Sequence, residues 1–307
     1  MIELRPLPKN GRIAITSPAT KPHANKLKQG ISYLENRGFD VVVGDTCYAE
    51  EHYLAGSDAM RADELMRFFE DDSIDAVFCS RGGFGSMRIL SMLDFYLFRE
   101  KPKLLVGFSD ITALQWALYT EAGLPSVSGM MPAVDFCDSS EESKQAEEQF
   151  WRLVLDGKLD LEIPHQQDEE QVIEAPFLAG TLSVATKLMG SHYFPNIKDH
   201  LMLLEDVGEH KHKLEGYLYK MEMAGVFQQL KGLLLGNFTP SEHEEYPILP
   251  TEDEVIHRSV KTLRGPLIKN LPYGHIPNKI SVPIGIPLSL TLGATSRLSL
   301  ETSLFDF

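Results

Sequence analysis

The chain predicts an α/β protein in two parts: a doubly wound parallel-sheet domain in the N-terminal half and a smaller, mainly β domain after it. Three observations lead there. Before residue 137, short apolar runs alternate with amphipathic stretches of helical period, the pattern of βαβ units around a parallel sheet covered on both faces. Between residues 138 and 172 the composition turns charged and polar, ending in the non-periodic Pro164-His165-Gln166-Gln167-Asp168-Glu169-Glu170. From Gly265-Pro266 onward, Pro and Gly recur among short β-rich runs such as Leu288-Ser289-Leu290-Thr291-Leu292. The expected division is a flavodoxin- or Rossmann-like domain over 1–137, a linker over 138–172 and a β-rich domain over 173–307.

Each element has its local reason. Ile13-Ala14-Ile15-Thr16 reads as a buried strand, followed by Ser17-Pro18-Ala19 and an amphipathic helix over about 22–37 that stops at Gly38. Val41-Val42-Val43 is a second strand, closed by Gly44. A helix over about 58–70 follows, with Ser57 or Asp58 as its cap. Asp75-Ala76-Val77-Phe78-Cys79 is the third strand; the turn Ser80-Arg81-Gly82-Gly83-Phe84-Gly85-Ser86 and a short helix through Leu90 come after it. Strand four is Leu104-Leu105-Val106, its helix spans Asp110 to about Glu121, and Ser126-Val127-Ser128 is a fifth strand. Glu141 to Leu155 has the pattern of a charged helix within the linker. Beyond it, Leu201-Met202-Leu203-Leu204 and Gly232-Leu233-Leu234-Leu235-Gly236 read as strands on either side of an amphipathic helix from about Glu209 to Ala224, with one or two helices expected in this domain. Ligands of doubly wound sheets collect beyond the carboxyl ends of the strands. The Ser17, Arg81-Gly82-Gly83 and Ser109 loops all follow strands, so they share that edge.

At 307 residues the chain is long enough for two domains with a substantial core. The 44 acidic residues against 29 basic ones leave a formal charge of -15, which argues against phosphate backbones and anionic membrane surfaces as partners. A small substrate is expected instead, with no nucleic acid and no membrane. Cys47, Cys79 and Cys137 have no paired spacing, so neither a disulfide framework nor a zinc site is indicated, and the thiols fit a reducing compartment. No run has signal-peptide or membrane-span character, and the expected location is cytoplasmic. Nothing in the sequence asks for a cofactor or a metal.

The chemistry centres on Gly107-Phe108-Ser109-Asp110-Ile111-Thr112, where an apolar run stops at a glycine and a serine precedes a new helical pattern. A serine lifted onto such a turn has the first amides of the next helix beside it to hold a developing negative charge. It can equally be an ordinary N-cap. Arg81-Gly82-Gly83-Phe84-Gly85 lacks both the G-x-G-x-x-G spacing and a P-loop lysine, which leaves a tight turn needing positive φ or a backbone amide aimed at the point Ser109 addresses. Glu205 and Asp206 follow the Leu201-to-Leu204 run; either carboxylate could orient a histidine, and local physics does not choose between them. Of ten histidines, His210 and His212 lie in a charged helix start, His192 and His200 flank a loop and a strand start, and His275 is held in Leu271-Pro272-Tyr273-Gly274-His275-Ile276-Pro277, a turn rigid enough to fix a side chain.

Together these residues resemble the LD-carboxypeptidase family, serine peptidases that trim murein peptides and whose relatives include the microcin C immunity peptidases. The resemblance runs through Ile13-Ala14-Ile15-Thr16-Ser17-Pro18, the Leu54-Ala55-Gly56-Ser57-Asp58-Ala59-Met60-Arg61 segment, Ser80-Arg81-Gly82-Gly83-Phe84-Gly85, Gly107-Phe108-Ser109-Asp110-Ile111-Thr112, Leu203-Leu204-Glu205-Asp206-Val207, Gly232 to Asn237, and Gly274-His275 followed by Pro283-Ile284-Gly285. It implies Ser109 as nucleophile, Glu205 as orienting carboxylate and His275 as general base, with an oxyanion hole from the Asp110 amide and one from the Gly82-Gly83 turn. It further implies a murein tetrapeptide losing its terminal D-alanine, a role in peptidoglycan recycling, and a homodimer. Arg81 is the candidate for the substrate carboxylate, since a guanidinium binds carboxylate bidentately; bracing its own loop is the competing role. One departure stands out: where the family commonly has Gly-Gly-Asn-Leu, this chain has Ala179-Gly180-Thr181-Leu182, a difference expected to bear on substrate preference if that segment borders the cleft.

The order Ser, Glu, His is that of α/β-hydrolases, yet Ile111 breaks the G-x-S-x-G elbow, so a different fold with the same logic is required. Two other functions compete. One is cleavage of aminoacyl-adenylate analogues, as in the microcin relatives, for which Phe177 or Tyr193 would stack on the base. The other is non-catalytic binding of a nucleotide or other small ligand.

Overall fold

The computed structural model describes residues 2–137, 140–241 and 250–306. In chain order the strands are β1 (Arg12–Thr16), β2 (Asp40–Val43), β3 (Ala76–Cys79), β4 (Leu104–Gly107), β5 (Ser126–Ser128), β6 (Asp160–Ile163), β7 (Gln171–Thr181), β8 (Leu201–Glu209), β9 (Gly232–Pro240), β10 (Leu267–Ile268), β11 (Val282–Ile284), β12 (Pro287–Leu292) and β13 (Ser296–Ser299). The α-helices are α1 (Ala24–Asn36), α2 (Asp58–Glu70), α3 (Ser86–Ile89), α4 (Phe95–Glu100), α5 (Thr112–Ala117), α6 (Glu141–Asp156), α7 (Leu182–Leu188), α8 (Lys211–Met223) and α9 (Glu252–Ser259).

The first sheet has six strands in the order β11-β5-β4-β3-β1-β2. β1 to β5 run parallel, and β3 and β4 are apolar and buried throughout, as strands covered by helices on both faces must be. Helix α2 shows why the pattern is readable. Ser57 caps it by accepting the Met60 N–H, and Ala62, Leu65, Phe68 and Phe69 form its buried stripe.

The helix expected from Asp110 to Glu121 is instead a composite. It opens with a 3-10 turn over Ser109–Ile111, continues as α5, and ends in a π turn over Leu118–Ala122 before the left-handed Gly123. In that last turn the Thr120 hydroxyl donates back to Trp116 O at 2.8 Å, a local competitor to the helical ladder.

The stretch read as a linker is not a free tether. α6 lies on the first domain, with Trp151 stacked on Phe39 and Phe136 at 5.2 and 5.8 Å and its indole N–H donating to Tyr33 Oη at 2.8 Å. β6 pairs with β13 in the second sheet. Nor does the boundary near 173 separate two independent bodies, because β11 returns from the C-terminal half to pair antiparallel with β5.

The second sheet has seven strands in the order β10-β9-β8-β7-β12-β13-β6. β7 to β10 are parallel and connected through α7, α8 and α9, whereas β12, β13 and β6 are antiparallel. Among the described residues three α-helices therefore stand where one or two were expected. α7 shows no helical period because it is seven residues long and six of them are buried, leaving no polar face. α9 carried a signal: Thr251 and Glu254 form a capping box. No helix among the described residues is long and apolar enough to cross a membrane.

Candidate active site

The Ser109 turn is shaped by what cannot fit there. A Cβ on Gly107 would lie 2.4 Å from Ile111 Cγ2, so the strand must end on glycine. Phe108 is extended, and Ser109 then takes φ = +65°, the left-handed region that costs a side-chain-bearing residue about 1–3 kcal/mol. The N-cap position falls on Phe108 and the Ser109 hydroxyl caps nothing, which disposes of the helix-cap reading. It points instead to His275, whose Nε2 is 2.9 Å away.

On the other side of the imidazole, His275 Nδ1 lies 2.8 Å from Glu205 Oε2. A carboxylate only accepts, so Nδ1 carries the proton and Nε2 is left to accept from the serine hydroxyl. Glu205 is fully buried, and its second oxygen accepts the Thr181 hydroxyl at 2.6 Å. Glu205 does not close its strand. β8 runs on to Glu209, with an irregularity in its pairing between Leu204 and Asp206.

Asp206 is committed elsewhere. Its carboxylate accepts the Ser183 N–H at 2.7 Å, the Ser183 hydroxyl at 3.2 Å and the Val207 N–H at 2.9 Å. Burial pushes that carboxyl up to about 6. The choice the sequence left open is thus made by partners: Glu205 faces the histidine, and Asp206 holds the start of α7.

His275 reaches the site on a loop that passes over β9. A Cβ at Gly236 would come within 2.1 Å of Tyr273 O, and the Asn237 N–H donates to that same carbonyl at 2.8 Å. Gly274, at φ = +151°, then turns the chain so that the His275 ring lies against Phe108, with centroids 4.9 Å apart.

The glycine turn meets the serine turn directly. A Cβ on Gly82 would lie 2.7 Å from Ser109 Cβ and 3.1 Å from Asp110 N, so Gly82 is pressed on Ser109. Gly83, at φ = +109°, faces Thr20 instead: a Cβ there would lie 2.4 Å from the Thr20 hydroxyl oxygen. The two turns are tied together by Asp110, whose side chain accepts the Ser86 N–H at 2.8 Å while its carbonyl accepts the Ser86 hydroxyl at 2.6 Å. Burial raises the Asp110 carboxyl above the usual range. Beneath this junction the fully buried Arg61 donates to Pro18 O and Gly85 O at 2.6 and 2.9 Å. Arg81 makes no hydrogen bond or ion pair with the described residues, and its Nε is buried without a partner. Its loop-bracing role therefore finds no contact.

The Ala179-Gly180-Thr181-Leu182 segment lies behind the Glu205 carboxylate. Thr181 bonds Glu205, its own N–H donates to Thr112 Oγ1 at 3.1 Å, and Trp116 Nε1–H donates to Ala179 O at 2.9 Å. Its departure from the family pattern thus bears on Glu205 first. Phe177 is fully buried and so is not available as the stacking ring considered above, while the half-buried Tyr193 tilts against Phe95 at 5.9 Å. His200 is buried with Nε2 2.9 Å from Tyr119 Oη, and the His210 and His212 rings stack on each other. Thr181, the Asp110 carboxylate and Arg61 were missed as contributors to the site, because each acts through a partner distant in sequence.

Residues 13–129 match the LD-carboxypeptidase N-terminal domain, and residues 174–290 match the LD-carboxypeptidase C-terminal domain. The chain belongs to the LD-carboxypeptidase family. Within it, a probable murein peptide carboxypeptidase of Bacillus subtilis is 28% identical over 284 residues, covering 91% of this chain and 88% of that protein. A murein tetrapeptide carboxypeptidase of Pseudomonas aeruginosa is 28% identical over 288 residues, with 91% and 92% covered. The fold of muramoyltetrapeptide carboxypeptidase from Oxalobacter formigenes superposes with a TM-score of 0.85 at 24% identity, covering 95% of this chain and 99% of that one. An LD-carboxypeptidase of this family is a serine peptidase, and the hydrogen-bonded row of Glu205, His275 and Ser109 joins β8 of the second sheet to the turn just beyond the carboxyl end of β4.

Proposed function

We propose that this protein is a cytoplasmic serine LD-carboxypeptidase that releases the terminal D-alanine of murein tetrapeptides during peptidoglycan recycling. The observation that carries the reading is the relay Glu205–His275–Ser109, with both hydrogen bonds under 3 Å and the serine held at φ = +65°. His275 takes the Ser109 proton as Oγ attacks the carbonyl of the L,D amide bond. The backbone N–H of Asp110 and one from the Gly82-Gly83 turn stabilise the oxyanion, with Gly82 the nearer of the two glycines to Ser109. Protonated His275 gives its proton to the departing amine of D-alanine. Water, activated by the same histidine, then hydrolyses the acyl-enzyme. No cofactor or metal enters this scheme.

Arg81 is the proposed seat of the terminal carboxylate, since its Nε is buried without a partner and the next residue, Gly82, abuts Ser109. Arg81→Ala is expected to raise KM by about 10- to 100-fold, with kcat changing far less, because the interaction is made equally in ground and transition states. Loss confined to kcat contradicts this assignment.

Asp110 contributes to the oxyanion through its backbone. Asp110→Asn keeps an acceptor for the Ser86 N–H and is expected to hold kcat within about fivefold of wild type, whereas Asp110→Ala, which strands that N–H, falls further. A folded but inactive Asp110→Asn refutes this account of the turn.

The function itself is tested by incubating the protein with a murein tetrapeptide and measuring released D-alanine. An aminoacyl-sulfamoyl adenosine serves as the competing substrate, and calorimetry against nucleotides tests the binding-protein alternative. D-alanine release as the fastest reaction is expected. Preference for the adenylate analogue selects the microcin-type activity instead. The proposed assembly is a homodimer, which sedimentation equilibrium measures.

A further inference from the structure

The loop that carries His275 comes from the second half of the chain but is fastened to the first. Its base is closed by the Ile280 N–H donating to Pro272 O at 2.7 Å. Three side-chain contacts then cross to the first domain. Tyr273 Oη lies 2.7 Å from Ser128 Oγ. Gln149 accepts the Ser281 N–H at 2.7 Å and donates to Ser281 O at 2.8 Å. Lys279 Nζ donates to Asp135 Oδ1 at 2.7 Å.

The last contact is unlike the others. Lys279 is only 3% exposed, and lysine is almost never buried unless paired. Its ammonium lies 4.4 Å from the centroid of the Phe108 ring. That ring packs on the His275 imidazole, and Phe108 immediately precedes Ser109. Asp135 is itself fixed, its other oxygen accepting the Met131 N–H at 2.7 Å. The chain of contact therefore runs from Asp135 through the Lys279 ammonium and the Phe108 ring to the imidazole that must meet Ser109. An apolar side chain at 279 would fill the space without desolvating a charge. What it would not do is fix one point in space toward both a carboxylate and a ring face.

We propose that Lys279 is a positioning residue for the nucleophilic step: paired with Asp135, it locks Phe108, and through it His275, in register with the Ser109 hydroxyl. This rests on the serine-peptidase reading above. A misplacement of about 1 Å in such a relay can cost about 100-fold in rate, so a charge remote from the reacting atoms can govern turnover.

The test separates the two claims by labelling Ser109 with a fluorophosphonate alongside peptide hydrolysis. Wild-type protein that is not labelled at Ser109 overturns the underlying reading and this one with it. Given labelling of wild type, Lys279→Met is expected to lower both kcat and the maximal labelling rate by about 10- to 100-fold while KM stays within about twofold. Lys279→Arg, which keeps the ion pair and the cation over the ring, is expected to recover most of the rate. Should Lys279→Met not fold, Asp135→Asn replaces it, since the amide keeps the side chain's shape and an acceptor for Met131; the same kcat loss at constant KM is expected. Folded Lys279→Met or Asp135→Asn with wild-type kcat and labelling rate overturns the proposal alone. So does a loss carried by KM, or an arginine variant as slow as the methionine one.

Discussion

Ser109→Ala is expected to lower kcat for D-alanine release by about 10⁵-fold or more while the fold survives. The estimate follows from serine triads, where removing the nucleophile costs about as much as removing the whole relay, and the remaining acceleration comes from binding and the oxyanion donors. The site permits a second reading of the same position. Alanine inherits the φ of +65° without the bond to His275, whereas glycine is at ease there. Ser109→Gly should therefore be as inactive as Ser109→Ala yet about 1 kcal/mol more stable, measured by denaturant unfolding. Equal stability of the two variants would mean that the turn stores no strain. Release of D-alanine by either at a rate near that of wild type would remove Ser109 from the mechanism.

Gly82→Ala should also be strongly damaging, although the residue bears no functional group. Its new Cβ would stand 2.7 Å from Ser109 Cβ, 2.9 Å from Phe108 O and 3.1 Å from Asp110 N, and two of those three atoms are backbone that cannot rotate aside. The glycine turn must back away from the nucleophile turn, which removes one oxyanion donor and shifts the serine. Losing one such donor typically costs about 10²- to 10³-fold in kcat, so about 10³-fold is expected here, measured on the same tetrapeptide. Gly216→Ala is the control. Nothing lies within 4 Å of that added Cβ on α8, so activity should be unchanged and stability slightly increased. A folded Gly82→Ala variant that turns over within a few-fold of wild type would mean that this loop has no part in the reaction.

The legible parts of the molecule were those set by short-range physics. The strands of the first sheet and the stripe of α2 are written in runs of apolar residues, and the glycine that stops β4 announces a sharp turn with Ser109 on it. Glu205 and Asp206 were indistinguishable because what separates them is supplied from elsewhere, by Thr181 and His275 for one and by Ser183 for the other. His275 stood out among ten histidines through its rigid surroundings, yet its role came from resemblance and not from its own neighbourhood. Lys279 was invisible for the opposite reason. A lysine beside an asparagine reads as solvent-facing, and only a carboxylate 144 positions away explains why it is buried. The helix α7 was lost to its own burial, and the packing of α6 was hidden because its polar composition conceals one apolar face, the one bearing Phe150 and Trp151.

The return of β11 to the first sheet has a consequence for the chain during synthesis. Ser109 leaves the ribosome 166 residues ahead of His275, and the strand that joins the halves follows later still. At about 5–20 residues per second the nascent protein carries Ser109 without His275 for on the order of 10 to 30 s. Through that interval it has no relay with which to cut anything, and the histidine arrives on the loop that leads directly into the closing strand. The Glu205–His275–Ser109 row thus closes only as the two halves of the chain are tied together, with β12 and β13 still to be added to the second sheet.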